Sequence, residues 1–182
     1  MAALHAGGRA LEPIVLIGFM GSGKSTLGRR LAEHFGFQLV DLDEHLEQTS
    51  RRSIRDIMAQ EGEPAFRRLE LECLRELVEA RPERCVVATG GGIVESAEAA
   101  PLLRRLGRVI WLRADPQASV DRLTRTRRRR PLLDDPEEWR RRWVRREPLY
   151  RAAAHAVVRT HPETCDASFR EIVRLLKAGD AR

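Results

Sequence analysis

The chain has 182 residues, enough for one domain with a sizeable core that needs neither disulfides nor metals to hold it. Its residues are 42% hydrophobic and 33% charged, the balance of a water-soluble globular protein. No apolar run approaches the roughly 20 residues that cross a membrane. The net charge of +6 is nearly all arginine, with lysine only at Lys24 and Lys177. That charge suits small anionic substrates as well as nucleic acid.

In chain order, residues 1–11 are broken by Gly7, Gly8 and Arg9, lack a signal-peptide pattern and are expected to be disordered. A cytoplasmic protein is the expectation. Strands are predicted at Pro13–Gly18, Phe37–Asp41, Cys85–Thr89, Val109–Leu112 and Ala156–Val158, short β-branched runs that suit burial on both faces. Between the first two, Leu27, Leu31 and Phe35 form one helical stripe over Lys24–Phe35. Further helices are predicted over Pro64–Ala80, Ser96–Leu106, Pro116–Thr126, Pro136–Ala153 and near Ser168–Lys177, the last opening on a Ser168/Glu171 capping box. Alternating strands and helices predict an α/β fold with a mostly parallel sheet, one domain over residues 12–178. The charge run and prolines of Arg125–Pro136 predict a mobile lid, placed at about residues 124–136. Cys73, Cys85 and Cys165 lie far apart without zinc-like spacing, so reduced thiols are expected.

Gly18–Ser25 reads GFMGSGKS and matches G-x-x-x-x-G-K-[ST] at every fixed position. It follows an apolar strand and opens an amphipathic helix, the context in which backbone N–H groups and a helix N-terminus cradle phosphates. Gly21, Ser22, Gly23, Lys24, Ser25 and Thr26 are the expected ATP-binding run. Lys24 reaches the β- and γ-phosphates and Ser25 offers its hydroxyl to Mg²⁺.

The loop does not identify the acceptor. Asp41 and Asp43 leave the second strand together, and in an extended chain they point to one side. One suits Mg²⁺ through water and the other an acceptor hydroxyl; alternatively Asp43 caps a helix starting at Glu44. Gly90, Gly91 and Gly92 end the third strand and permit close backbone approach of a ligand. Arg67 and Arg146 are each able to clamp a carboxylate, but taken alone, in so arginine-rich a chain, each reads first as a solvated surface charge. The arginine run up to Arg130 reads either as a nucleic-acid patch or as a lid closing on phosphates; composition does not separate the two.

Six segments in order, LIGFMGSGKSTLGRRLA, VDLDEHLE, SIRDIMAQEGEPAFRRLE, VVATGGGIV, RPLL and RREPLY, resemble the shikimate kinase family over nearly the whole chain after Glu12. The resemblance implies a P-loop kinase fold similar to nucleoside monophosphate kinases: a five-stranded parallel sheet flanked by helices, with a mobile lid. It implies transfer of the γ-phosphoryl group of ATP to the 3-hydroxyl of shikimate, a step towards aromatic amino acids, with Mg²⁺. By the same resemblance, Lys24, Asp43 and Arg130 are catalytic, and Asp43, Arg67, Gly90, Gly91, Gly92 and Arg146 hold shikimate. Ser25, and Asp41 through water, hold the metal, and Arg130 reaches the phosphates of ATP. Arg122 or Arg125 is the arginine implied at adenine. Neither nucleic acid nor membrane is an expected partner, and a monomer is implied. One departure stands out: Arg51 replaces a glycine common in the family shortly before Ser53-Ile54.

Overall fold

A computed structural model describes the backbone of residues 12–125, 136–160 and 165–179, and the side chains of these except 121–125 and 136. The expectations placed on residues 1–11 and on the lid, Arg130 included, lie outside the described residues, as do the side chains of Arg122 and Arg125.

Five strands form one sheet: β1 (Ile14–Ile17), β2 (Gln38–Asp41), β3 (Cys85–Ala88), β4 (Arg108–Ala114) and β5 (Ala156–Thr160). Their order is β2-β3-β1-β4-β5 and every pairing is parallel. The five predicted strands are all present, with ends shifted by a few residues. β1 alternates across the sheet as a strand must. Val15 and Ile17 join one apolar cluster, and Ile14 and Leu16 join the other. The second cluster packs beneath α1 (Lys24–Phe35) and α7 (Cys165–Gly179). The first lies under α2 (Leu42–Ser50), α3 (Ile54–Ala80), α4 (Ala99–Leu106) and α6 (Pro136–Ala153). The remaining helix, α5, covers Pro116–Arg125.

Five predicted elements differ in form. β2 and β5 are the edge strands and carry partly or fully exposed residues, rather than being buried on both faces. α3 runs back to Ile54 and is broken at Gly62 (φ 80°, ψ 175°), two residues before Pro64, whose ring cannot continue an unbroken hydrogen-bond ladder. Ser168 lies inside α7 rather than at its cap, and its hydroxyl donates to the Arg159 carbonyl at 3.3 Å. The helix placed at Ser96–Leu106 starts instead at Ala99, after a single 3₁₀ turn over Ile93–Glu95.

The register sets the site. Leu16, Ala88 and Asp41 are paired in one row across β1, β3 and β2. The segments after these strands therefore emerge side by side at the carboxyl edge of the sheet, where strand order reverses and ligands of open α/β sheets bind.

Candidate active site

The phosphate end is built from one continuous segment. β1 stops at Ile17, the chain turns through Gly18–Gly23, and α1 begins at Lys24. Lys24 Nζ donates to the carbonyls of Gly18 (2.7 Å) and Phe19 (2.9 Å), folding the ammonium over the loop. Ser22 is buried beneath the turn, and Ser25 and Thr26 are exposed on the first turn of α1. Ser25 Oγ donates to Asp41 Oδ2 at 3.0 Å. A hydroxyl and a carboxylate are hard oxygen donors of the kind Mg²⁺ takes beside phosphates and water, so this pair fits that ion.

The two aspartates do not share a strand face. Asp41 ends β2 and caps α2, its Oδ1 accepting the Asp43 N–H at 3.1 Å, while Asp43 lies in the first turn of α2. The chain leaves extended geometry at Asp41, which removes the strand alternation on which the same-side expectation rested. Asp41, not Asp43, is the helix cap. Asp43 nevertheless reaches the site: its Oδ1 lies 2.8 Å from where a Cβ on Gly90 would stand.

The glycine turn after β3 is the centre of the acceptor end. A side chain on Gly90 would overlap Glu70, and one on Gly92 would overlap the Arg67 guanidinium. The Gly91 carbonyl accepts from Arg146 Nη1 (3.3 Å) and from the Tyr150 hydroxyl. Arg67, Arg146 and Asp43, from three different helices, thus converge on three successive glycines. All the described residues expected to hold the acceptor are brought together here.

Arg146 is buried and Arg67 partly buried, and both are charge-compensated. Arg67 is anchored on its own helix by Glu63 (2.8 Å) and Glu70 (2.7 Å). Arg146 is only 2% exposed, its Nη2 donating to Glu95 Oε2 at 2.5 Å. Its guanidinium also stands 5.5 Å from the centre of the Phe19 ring. Phe19 in turn meets Trp139 and Trp143 edge-on, at 5.4 Å each, so the phosphate loop is packed directly on the helix that carries Arg146.

The carboxylates divide in the direction in which their surroundings shift them. Burial pushes the Glu70 carboxyl above its ordinary value; Arg67 opposes this and the nearby Asp43 charge adds to it. Glu70 Oε1 is buried without a hydrogen-bond partner. Glu63 and Glu95 feel burial too, but Arg67 and Arg142 at Glu63, and Arg146 and Arg145 at Glu95, outweigh it and hold both below the ordinary range.

Sequence reasoning missed Glu63, Glu70, Glu95, Tyr150 and the Phe19–Trp139–Trp143 cluster as parts of the site. The spacing of Glu63, Arg67 and Glu70, four and three apart, was a usable signal, since such residues share one helix face. Glu95 gave none; only the fold brings it to α6.

A family model described as "Shikimate kinase" matches residues 20–177. A shikimate kinase of Symbiobacterium thermophilum is 41% identical over 168 residues, 90% of this chain and 95% of the relative. That of Chlorobaculum tepidum is 39% identical over 175 residues, 90% of each chain. Among solved structures, shikimate kinase from Acinetobacter baumannii in complex with shikimate superposes with a TM-score of 0.84 at 32% identity. That match covers 94% of this chain and 96% of the other. With the P-loop, the glycine turn and the converging arginines in place on the same five-stranded parallel sheet, the conclusion is direct: this chain belongs to the shikimate kinase family.

Proposed function

We propose that the domain over residues 12–178 transfers the γ-phosphoryl group of ATP to the 3-hydroxyl of shikimate, giving ADP and shikimate 3-phosphate. The observation that carries this reading is the convergence of Arg67, Arg146 and Asp43 on Gly90–Gly92, beside a phosphate loop. Two guanidiniums suit one carboxylate held in bidentate fashion. A carboxylate beside them suits hydroxyls on the same small ring.

In this mechanism the loop amides and Lys24 hold the ATP phosphates, Lys24 exchanging the Gly18 and Phe19 carbonyls for phosphate oxygens. Ser25, and Asp41 through water, would hold Mg²⁺, which neutralises charge on the phosphates when bound. Arg67 and Arg146 fix the shikimate carboxylate and so orient the ring. Asp43 binds its hydroxyls and takes the proton of the 3-hydroxyl as that oxygen bonds to phosphorus and the bond to the β-phosphate oxygen breaks. Arg130 closes on the phosphates and completes the charge stabilisation. Most of the rate comes from positioning and charge, as is general for phosphoryl transfer. The chain acts as a cytoplasmic monomer without nucleic acid. No helix among the described residues is long and apolar enough to cross a membrane.

The test is product identity. Incubated with Mg·ATP and shikimate, the protein should yield one phosphomonoester whose phosphorus couples to the proton on C3 in a ³¹P–¹H correlation spectrum. Phosphorylation at another hydroxyl, or no phosphoester beside active ATP hydrolysis, would reject the reading.

A further inference from the structure

Glu95 does something in this site that no part of the reaction requires. It sits on the 3₁₀ turn directly after Gly92 and receives Arg146 Nη2 on Oε2 at 2.5 Å, with Arg67 Nη2 at 3.6 Å from the same oxygen. Its other oxygen, Oε1, faces outward and accepts from Arg145 Nε at 2.9 Å and from Arg145 Nη2. The carboxylate therefore bridges the two guanidiniums that are to receive the acceptor's carboxylate, while a third, exposed arginine holds its far side.

Arg67 does not depend on Glu95 for its place, and Arg146 has contacts besides Glu95. Arg67 is fixed by Glu63 and Glu70. Arg146 is enclosed, with Nη1 on the Gly91 carbonyl and its guanidinium near the Phe19 ring. What Glu95 supplies is one negative charge at the guanidinium edges, where an incoming carboxylate would meet like charge at short range. Arg145 is more than half exposed and offers that charge somewhere else to go.

We propose that Glu95 is an internal stand-in for the acceptor's carboxylate. It occupies Arg146 and Arg67 in the empty site and is displaced towards Arg145 when a carboxylate-bearing acceptor binds. It is a specificity-determining residue: the displacement costs affinity, and only a ligand that replaces its charge recovers the lost ion pairs. This inference rests on the functional reading above, in which Arg67 and Arg146 bind the acceptor's carboxylate.

Titration calorimetry with shikimate and with its uncharged methyl ester tests it. Glu95→Gln keeps the size and hydrogen-bonding capacity of the side chain and removes the charge. It should tighten shikimate about tenfold and leave the ester within about twofold, because like-charge repulsion acts only on a charged ligand. Arg145→Ala in the otherwise natural chain should act in the opposite direction, weakening shikimate, and its effect should shrink when combined with Glu95→Gln. Unchanged or weaker shikimate binding by Glu95→Gln, or an equal shift for acid and ester, would overturn the proposal. So would an Arg145→Ala effect of the same size in both backgrounds. If Glu95→Gln does not fold, the Arg145→Ala comparison of acid and ester decides alone: a weakening confined to the acid supports displacement, and an equal or absent effect refutes it. A natural chain that binds ATP but neither binds nor phosphorylates shikimate would instead reject the functional reading itself.

Discussion

The two ends of the site are built on different principles. The phosphate end is a single stretch, Gly18–Thr26, in which the proposed working groups are backbone amides and one lysine that folds over the loop. The acceptor end draws Asp43 from α2, Arg67 and Glu70 from α3, Gly90–Gly92 from the turn after β3, and Arg146 from α6. On the proposed reading its working groups are side-chain charges, the two arginines balanced by Glu63, Glu70 and Glu95. A backbone cradle needs only the local chain to curl correctly. A charge network needs four elements to be held in register, and it carries the desolvation cost of every charge it encloses. Phe19, packed on Trp139 and Trp143, joins the two ends.

That contrast is easiest to break at the acceptor end. Asp43→Asn should lower turnover by about 10²–10⁴-fold, the usual worth of a positioned base, while leaving ATP affinity largely intact. Stopped-flow turnover and equilibrium ATP binding on one preparation would check both halves. A next, smaller effect comes from Gly92→Ala, whose added methyl would displace the Arg67 guanidinium. An ångström of misplacement there should cost about 10²-fold in kcat/KM for shikimate, with KM for ATP little changed. Equal losses for both substrates would mean that the two ends are not separately built.

A smaller effect tests the support of that end. Arg51 takes left-handed geometry (φ 53°, ψ 29°) at the end of α2. The structure places it there and leaves the start of α3 intact, where Ser53 Oγ accepts the Asp56 N–H at 3.0 Å. Left-handed geometry disfavours a residue with a Cβ, so Arg51→Gly should stabilise the chain by about 0.5–1 kcal/mol, read from urea midpoints. Smallest of all is a pH effect. The Glu95 carboxyl is held below its ordinary value, so its contribution to stability is present above the unfolded-state value near 4.3 and is lost as pH falls through the folded one. The stabilities of the natural chain and Glu95→Gln should therefore converge on acidification below about pH 4.

The same contrast explains what was legible in the sequence. The phosphate loop was readable outright, because its chemistry is contiguous and its glycines, lysine and flanking periodicity all lie within one short window. All five strands were readable from β-branched runs. Arg67 and Arg146 were not readable as partners from spacing, since they lie on helices brought together only by the fold; family resemblance singled them out. Asp43 was misplaced in form, because strand alternation was carried two residues past the end of β2 into α2. Of the balancing carboxylates, Glu63 and Glu70 were legible by their spacing from Arg67 but passed over, whereas Glu95 was not, because it reaches α6 by tertiary approach from a turn that carries no periodicity.

The most direct test of the central claim, that the acceptor end is a carboxylate clamp for shikimate, is ADP release from Mg·ATP with one acceptor at a time. Shikimate, gluconate, several nucleoside monophosphates and no acceptor would be run in parallel on the natural chain. Release that depends on shikimate alone is the result the account predicts. Faster release with gluconate or a nucleoside monophosphate than with shikimate would contradict it, leaving the phosphate loop in place and removing Arg67 and Arg146 from the roles given to them.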